Sequence, residues 1–240
     1  MKKKPATGIL YLIPAPLWEH EVSGISQAVR EITLSLSLFA VEEIRTTRRY
    51  LRSLDKTFDI DGSQFFEMDK HGKYGIDQQF LKEIANGKNG GIISEAGCPC
   101  VADPGYNIVY EAHQMGITVK PLPGPNSILL ALMASGFYGQ KYHFHGYLPI
   151  EKEKRMKTIK GFSDMAYPVP QIFIETPFRN QPMLEDIIRF SHPEIELCIA
   201  AELTSPHEFI GTKTIKEWSK NLPDLHKKPV VFIINPKRKQ

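Results

Sequence analysis

The stretch Gly90-Gly91-Ile92-Ile93-Ser94-Glu95-Ala96-Gly97-Cys98-Pro99-Cys100-Val101-Ala102-Asp103-Pro104-Gly105 decides how this chain folds. Its aliphatic start predicts a buried strand. Asp103-Pro104 predicts the start of a helix, because aspartate is a favoured N-cap and proline suits the first helical position. In an open α/β sheet, ligands gather at the carboxyl ends of strands, where small residues let a ligand approach the backbone. The stretch is therefore either a ligand-binding turn or a tight strand-to-helix connection that Asp103 merely caps.

Two other proline-rich turns also follow predicted strands. Ile13-Pro14-Ala15-Pro16 ends the strand Gly8–Ile13, and Pro121-Leu122-Pro123-Gly124-Pro125-Asn126-Ser127 joins a strand to a helix. Ser127 or Asn126 would cap that helix and leave backbone amides available to a polar or anionic ligand. If the sheet is parallel, the three turns form one rim. None of them matches a dinucleotide-binding loop or a phosphate-binding P-loop, so those nucleotide classes lack support.

Strand and helix patterns alternate along the 240 residues, which predicts an α/β fold with a largely parallel sheet. A charged stretch, Glu151–Lys160, follows Tyr147, and a second alternation of strands and helices begins after it. We therefore expect two α/β domains, residues 1–147 and 148–240, with a ligand cleft between them.

Composition narrows the class of protein further. With 42% hydrophobic and 24% charged residues, the chain is neither disordered nor fibrous. No run reaches the roughly 18 apolar residues that span a bilayer, and the three cysteines have no paired spacing, so we expect a soluble cytoplasmic protein. His143 and His145 lack a third ligand, so no metal site is expected, and no nucleophile elbow or activated cysteine points to hydrolysis.

The basic residues are clustered although the formal net charge is only +3. The first cluster falls at helical spacing on one face and comprises Arg45, Arg48, Arg49 and Arg52. The second follows the expected domain boundary, where it could form a flexible arm, and comprises Lys152, Lys154, Arg155, Lys157 and Lys160. Either cluster could contact phosphates of an anionic partner, and either could be an ordinary charged surface.

The turns resemble, in order along almost the whole chain, those of the tetrapyrrole-methylase superfamily of S-adenosylmethionine-dependent methyltransferases. The similarity is closest to its ribosomal RNA small-subunit methyltransferase I family. The matching segments are Gly8–Pro16, Val41–Leu51, Ser94–Gly105, Pro121–Ser127, Ala134–Phe137, Glu175–Arg179, Ala201–Thr204, His207-Glu208 and Gly211-Thr212. The first turn departs from that family, because Trp18-Glu19-His20 stands where the family usually has a small Gly-Asn turn.

The resemblance implies a homodimeric enzyme of two α/β domains that binds S-adenosylmethionine in the interdomain cleft and methylates a ribose 2′-hydroxyl in small-subunit ribosomal RNA. Two alternatives stay open: a methyltransferase for a tetrapyrrole or other small molecule, and a non-catalytic cofactor- or RNA-binding paralogue. The cofactor contacts implied are Pro14, Glu95, Cys98, Val101, Ser127, Ile128, Thr176, Ala201 and Pro229. Glu43 and Asp103 are the candidate general bases, and the two basic clusters, above all Arg45, Arg48, Arg49, Arg52, Lys152, Lys154 and Arg155, are the expected RNA contacts.

Overall fold

A computed structural model describes residues 7–19, 21–68, 76–163 and 169–236. The chain divides after Asn126 into an N-terminal unit and a C-terminal unit, each built from one five-stranded sheet with helices. The expected α/β fold class is confirmed. The division falls earlier in the chain than the expected boundary at residue 147, because the strand His143–Tyr147 pairs in parallel with Gln171–Ile174 of the second sheet.

The sheet of the N-terminal unit is wholly parallel, as expected, with the strand order β3-β2-β4-β1-β5. Its strands are β1 (Ile9–Ile13), β2 (Leu38–Val41), β3 (Gln64–Glu67), β4 (Gly90–Ile93) and β5 (Thr118–Pro121). Its helices are α1 (Gln27–Leu34), α2 (Ile44–Leu54), α3 (Ile76–Ala85) and α4 (Tyr106–Gln114). Every residue of β2 and β4 is buried, which is typical of strands covered by helices on both faces.

Two hydrophobic cores cover the two faces of this sheet because side chains alternate along each strand. Phe39 and Val41 of β2 point into the core that includes Leu51 of α2. Leu38 and Ala40 point into the opposite core, which includes Phe80 of α3 and residues of α4. The double burial holds β1 and β4 rigidly at the centre of the sheet, where the turns described below begin.

The C-terminal unit has a mixed sheet with the order β6-β7-β10-β8-β9. Its strands are β6 (His143–Tyr147), β7 (Gln171–Ile174), β8 (Glu196–Ala201), β9 (Phe209–Thr214) and β10 (Val230–Asn235). Its helices are α5 (Ser127–Ala134), α6 (Lys152–Ser163), α7 (Asn180–Phe190) and α8 (Ile215–Trp218), with a 3-10 turn at Pro177–Arg179. Only β6 and β7 pair in parallel; the other pairs are antiparallel, unlike the first sheet.

One core fills the C-terminal unit, with Phe173 of β7 stacked on Phe232 of β10 at 5.6 Å between ring centroids. Trp218 is buried in the same core and donates its indole N–H to the Leu197 carbonyl over 2.9 Å. Within the described part of the chain, no helix has the length and apolar character that crossing a membrane requires.

Candidate active site in the N-terminal unit

The turns after β1, β4 and β5 meet at the carboxyl edge of the first sheet, which confirms the predicted rim. Ala15 and Gly97 exchange two backbone hydrogen bonds of 2.9 and 3.0 Å, so the first two turns are joined as a short bridge. The Cys98 thiol lies 3.4 Å from the Pro125 carbonyl, which ties the second turn to the third. These contacts hold the three turns in one fixed arrangement.

The rim lies at the point where the strand order reverses. After β1 the chain passes to β2 on one side of the β1–β4 pair, and after β4 it passes to β5 on the other side. Beyond the Ala15–Gly97 bridge the two connections lead to opposite sides of the sheet, and the carboxyl edge at such a reversal is the usual ligand site of an open α/β sheet. The connection from Ser94 to Gly105 therefore lies at the edge of the sheet where ligands of open α/β proteins usually bind.

Part of this connection has a strained backbone conformation. Cys100 and Ala102 have φ values of 68° and 64°, in the left-handed region that residues with a Cβ rarely adopt. Each such residue costs about 1–3 kcal/mol, and such strain concentrates at functional sites. Val101, between them, is exposed although it is apolar. The strained turn thus presents an apolar side chain at the rim.

Asp103 does not cap the following helix. Helix α4 begins at Tyr106, its N-cap is Gly105, and that cap makes no side-chain hydrogen bond, so the interpretation of Asp103 as a cap is wrong. The Asp103 carboxyl is half-buried, and burial together with the nearby carboxylates of Glu42 and Glu95 raises its pKa to about 7. A carboxyl group with that pKa can exchange a proton near neutral pH.

Glu43, the other candidate base, is the N-cap of α2. Its carboxylate accepts the backbone N–H groups of Arg45 and Thr46 over 2.9 and 2.5 Å and the Thr46 hydroxyl over 2.6 Å. These hydrogen bonds, the Thr46 hydroxyl first, lower the pKa of Glu43. A carboxylate that is engaged in this way is a weak base, so the geometry favours Asp103.

A cavity of about 250 Å³ opens beside this rim, between α2 and the turns that follow β1 and β4. It is lined by Ala15, Pro16, Glu19, Thr46, Thr47, Arg49, Tyr50, Ser53, Ile93, Ser94 and Glu95. Glu19 belongs to the unusual Trp18-Glu19-His20 segment, of which His20 lies outside the described residues. The sequence motifs gave no indication of this cavity, since its walls come from segments far apart along the chain.

The Ser94 hydroxyl is buried at this cavity and has no hydrogen-bond partner among the described residues. The Ser94 hydroxyl lies near the Asp103 carboxyl and its polar interaction lowers the pKa of Asp103, against the larger effect of burial, but the two groups do not reach the geometry of a hydrogen bond. Ser94 and Glu42 were not singled out from the sequence as site residues. The available signal was their position at the carboxyl ends of buried strands.

The arginines of the first cluster lie on α2 and differ in how they are engaged. Arg48 stacks over the Phe65 ring at 5.2 Å, and Arg52 donates to the Lys56 carbonyl. Arg49 lies 3.7 Å from the Glu19 carboxylate, with both side chains 57% exposed. Arg45 is exposed. Arg45 and Arg49 are therefore the members best placed to contact a partner.

The second basic cluster lies on helix α6 and is not the flexible arm expected from the sequence. Arg155 donates from Nε and Nη2 to one Asp186 oxygen over 2.8 and 2.6 Å, and each side chain is only 12% exposed. It also donates to the carbonyl oxygens of Pro149 and Ile150. The Arg155 guanidinium is therefore engaged within the protein and not presented to an RNA, whereas Lys152 and Lys154 are exposed.

The cofactor residues expected in the C-terminal unit gather at one edge of its sheet. Thr176 follows β7, Ala201 ends β8, and Pro229 precedes β10, which runs antiparallel to both strands. The Glu202 amide donates to the Pro229 carbonyl over 2.9 Å and so links two of these connections. Ala201 is fully buried and Thr176 is exposed.

Ser127 and Ile128 form the first turn of α5. Ile128 is buried, whereas Ser127 is half-buried. The first backbone N–H groups of a helix have no partner within the helix, so Ser127 lies where such donors are available. The side chain of Ile128 contributes to packing.

Comparison with known proteins agrees with the resemblance found in the sequence. A family model described as tetrapyrrole (corrin/porphyrin) methylases matches residues 39–218. The chain is 30% identical to the ribosomal RNA small subunit methyltransferase I of Escherichia coli O157:H7 over 236 residues, which is 97% of this chain and 79% of that protein. It is also 30% identical to the protein of the same name from Vibrio cholerae over 209 residues, 87% of this chain and 69% of that protein.

Solved structures share the fold at low sequence identity. Diphthine synthase matches with a TM-score of 0.66 at 13% identity, over 97% of this chain and 92% of that one. The uroporphyrin-III C-methyltransferase of Thermus thermophilus matches with a TM-score of 0.60 at 14% identity, over 95% and 97% of the two chains. At such identities the likeness concerns the fold alone.

Proposed function

This chain belongs to the tetrapyrrole (corrin/porphyrin) methylase family and is an S-adenosylmethionine-dependent methyltransferase, and from that premise we propose that it methylates a ribose 2′-hydroxyl in small-subunit ribosomal RNA. The observation that carries the proposal is the exposed cationic face of α2 beside Asp103 and the cavity, in a chain 30% identical over 97% of its length to a small-subunit RNA methyltransferase. We further propose that the enzyme acts as a homodimer in the cytoplasm, as the resemblance implies.

The chemistry of the rim fits the cofactor. The mutual repulsion of Glu42, Glu95 and Asp103 favours a cation at this position, and S-adenosylmethionine is a sulfonium cation. When bound, the cofactor supplies a methyl group that is activated by the positively charged sulfur. In the N-terminal unit we assign its binding to Pro14, Glu95, Cys98 and Val101. In the C-terminal unit we assign it to Ser127, Ile128, Thr176, Ala201 and Pro229.

Asp103 is the proposed general base. As the acceptor 2′-hydroxyl is methylated it loses its proton, and a carboxylate oxygen of Asp103 takes it. The raised pKa of Asp103 makes its carboxylate a stronger base than an ordinary surface carboxylate, while most of it is still ionised at slightly alkaline pH. The turns contribute by holding the reacting groups in place, which can supply several kcal/mol of the rate enhancement.

Methyl transfer to the small ribosomal subunit is the first expected result. The purified enzyme with radiolabelled S-adenosylmethionine should label the RNA of small subunits taken from a strain that lacks the corresponding gene. A 2′-O-methyl group blocks alkaline cleavage at its own phosphodiester, so the label should be recovered in an alkali-resistant dinucleotide. Small subunits from the parent strain, already methylated, are the control. If only small molecules such as tetrapyrroles accept the label, the RNA proposal is wrong.

The α2 arginines are expected to bind phosphates of the RNA. The logarithm of the binding constant for small-subunit RNA should fall linearly with the logarithm of the salt concentration. The slope should be about −0.7 per phosphate contact in single strands. Replacing Arg45 and Arg49 by alanine should make that slope shallower by about 1.4, because two contacts are lost. The matched control is the Lys82→Ala, Lys88→Ala double variant, which removes two exposed positive charges elsewhere in the N-terminal unit. If both double variants change the slope equally, net charge and not α2 determines RNA binding.

A further inference from the structure

The cavity beside α2 has an apolar interior with a polar floor. Ala15, Pro16 and Ile93 supply apolar wall, and Tyr50 places its ring there while donating its hydroxyl to the Pro14 carbonyl over 2.8 Å. Its volume of about 250 Å³ is a little below the roughly 300–1,000 Å³ of sites for drug-sized molecules. The space therefore suits a single flat ring system and is too small for a tetrapyrrole.

The Thr46 and Ser53 hydroxyl groups around the cavity form hydrogen bonds within the protein, whereas the Ser94 hydroxyl forms none with the described residues. Thr46 donates to Glu43 over 2.6 Å, and Ser53 donates to the Tyr50 carbonyl over 2.6 Å. Ser94 is 3% exposed, and among the described residues nothing satisfies its hydroxyl. A buried hydroxyl without a partner is costly, so it indicates a place where a ligand completes the hydrogen bonding.

The mouth of the cavity carries an ion pair that can open. Arg49 and Glu19 are 3.7 Å apart and both are largely exposed, so solvent screens their attraction. Opening the pair exposes a guanidinium group that can bind a phosphate in a bidentate way. A ligand with a flat ring, a polar edge and an adjoining phosphate matches the walls, the floor and the mouth together.

We propose that this cavity is the subsite for one nucleobase of the RNA acceptor, turned out of its stack, with Ser94 hydrogen-bonded to the base edge and Arg49 bound to the adjoining phosphate. The inference rests on the proposed function. Ser94 and Glu95 line the cavity and lie close to Asp103, so a base held here brings its own ribose towards the proposed general base. Proteins that recognise RNA by its sequence bind unstacked bases of loops, bulges and ends, and hold them by stacking and by hydrogen bonds to their edges.

Blocking the cavity tests the inference. Ser53 lines the cavity and is exposed on α2, so Ser53→Trp fills the space and loses only a hydrogen bond to a carbonyl three residues earlier. Ser35→Trp is the matched control, because Ser35 makes the same kind of bond to Ile32 and lies outside the cavity lining. Ser53→Trp should lower kcat/KM for small subunits by about tenfold or more, mainly through KM. Its affinity for S-adenosylmethionine should stay within twofold of wild type, and Ser35→Trp should behave as wild type.

Ser94→Ala is a second test that does not depend on a bulky side chain. Removing an unsatisfied buried hydroxyl should leave the melting temperature unchanged or raise it, whereas kcat/KM for small subunits should fall because the base edge loses its partner. If the wild type methylates small subunits and both Ser53→Trp and Ser94→Ala have the wild-type kcat/KM, the proposed subsite is wrong and the proposed function still holds. A wild type that transfers no methyl group to small subunits would contradict the proposed function itself, and the subsite with it.

Discussion

Asp103→Asn is expected to lower kcat for methyl transfer by about 10²–10⁴-fold, which is the usual contribution of a general base. Asparagine has nearly the same shape as aspartate and cannot accept the proton of the acceptor hydroxyl. S-adenosylmethionine should still bind, because the turns that form the rim are held by backbone contacts such as those between Ala15 and Gly97. Single-turnover assays together with calorimetry separate the two effects.

The pH dependence of the wild type provides an independent check. Because burial and the carboxylates of Glu42 and Glu95 raise the pKa of Asp103 to about 7, kcat/KM for S-adenosylmethionine, which reports the free enzyme, should rise with pH through about 7 and level off above it. Glu42→Gln should move that midpoint to lower pH by removing one of the repelling charges. A rate that does not change between pH 5 and 9 would show that Asp103 does not act as the base.

The stability of the wild-type fold should fall as pH rises, whereas its activity should rise. The pKa of Asp103 is higher in the folded chain than in the unfolded chain. Its ionisation therefore lowers the free energy of unfolding as pH rises above the unfolded pKa. This loss of stability is complete above the folded value of about 7. Asp103→Asn removes the cost, so at pH 8 its melting temperature should equal or exceed that of wild type. A loss of activity in this variant therefore cannot be ascribed to unfolding.

Glu43→Gln is the matched comparison for the base assignment. The Glu43 carboxylate accepts the first amides of α2, so its replacement should weaken that helix start and leave most of the catalytic rate. If Glu43→Gln abolishes methyl transfer while Asp103→Asn retains it, the two roles are reversed.

Gly124→Ala is expected to lower kcat/KM by about 100-fold, since a displacement of about 1 Å in a positioning element can cost that much. A Cβ at position 124 would lie 2.2 Å from the Cβ and 2.3 Å from the Cγ of Pro14, whose ring cannot bend away. The turn after β5 must then move off the turn after β1, and the Cys98 contact to Pro125 moves with it. The rim that we assign to cofactor binding would be distorted in a protein whose cores are intact.

The control for Gly124→Ala is Gly24→Ala. An added Cβ at Gly24 meets nothing within 4 Å, and its backbone is not in the left-handed region, so this variant should bind S-adenosylmethionine as wild type does. Calorimetry should detect weaker cofactor binding in Gly124→Ala alone. Equal affinity in the two variants would show that the contact between the turns does not shape the cofactor site.

Local patterns in the sequence predicted the parts of the fold that depend on neighbouring residues. The aliphatic runs at β1 and β4 form neighbouring strands at the centre of the first sheet, and the proline- and glycine-rich segments after β1, β4 and β5 form turns at one rim. Side-chain size and the backbone preferences of proline and glycine act within a few residues, so strands and turns that depend on them can be predicted from the sequence alone. The order and spacing of these turns also pointed correctly to the methyltransferase family.

Tertiary structure decided what depends on residues far apart in the chain. The second sheet is largely antiparallel although its strands have the same apolar character as those of the first, because strand direction follows from pairing partners. Arg155 had the same sequence appearance as its lysine neighbours but is bound to Asp186 in another helix.

The candidate site likewise has features that the sequence predicted and features that only the tertiary structure produced. The sequence marked Asp103 as a possible helix cap and, through the family resemblance, as a candidate general base. Its pKa near neutrality comes first from its burial and then from the nearby carboxylates of Glu42 and Glu95, and both depend on the tertiary structure. The cavity with its unsatisfied Ser94 exists because α2 and the turns after β1 and β4 pack side by side. Sequence determined which residue types occupy the carboxyl ends of the strands, whereas electrostatic repulsion and enclosed volume arise only when distant segments are brought within a few ångströms of each other.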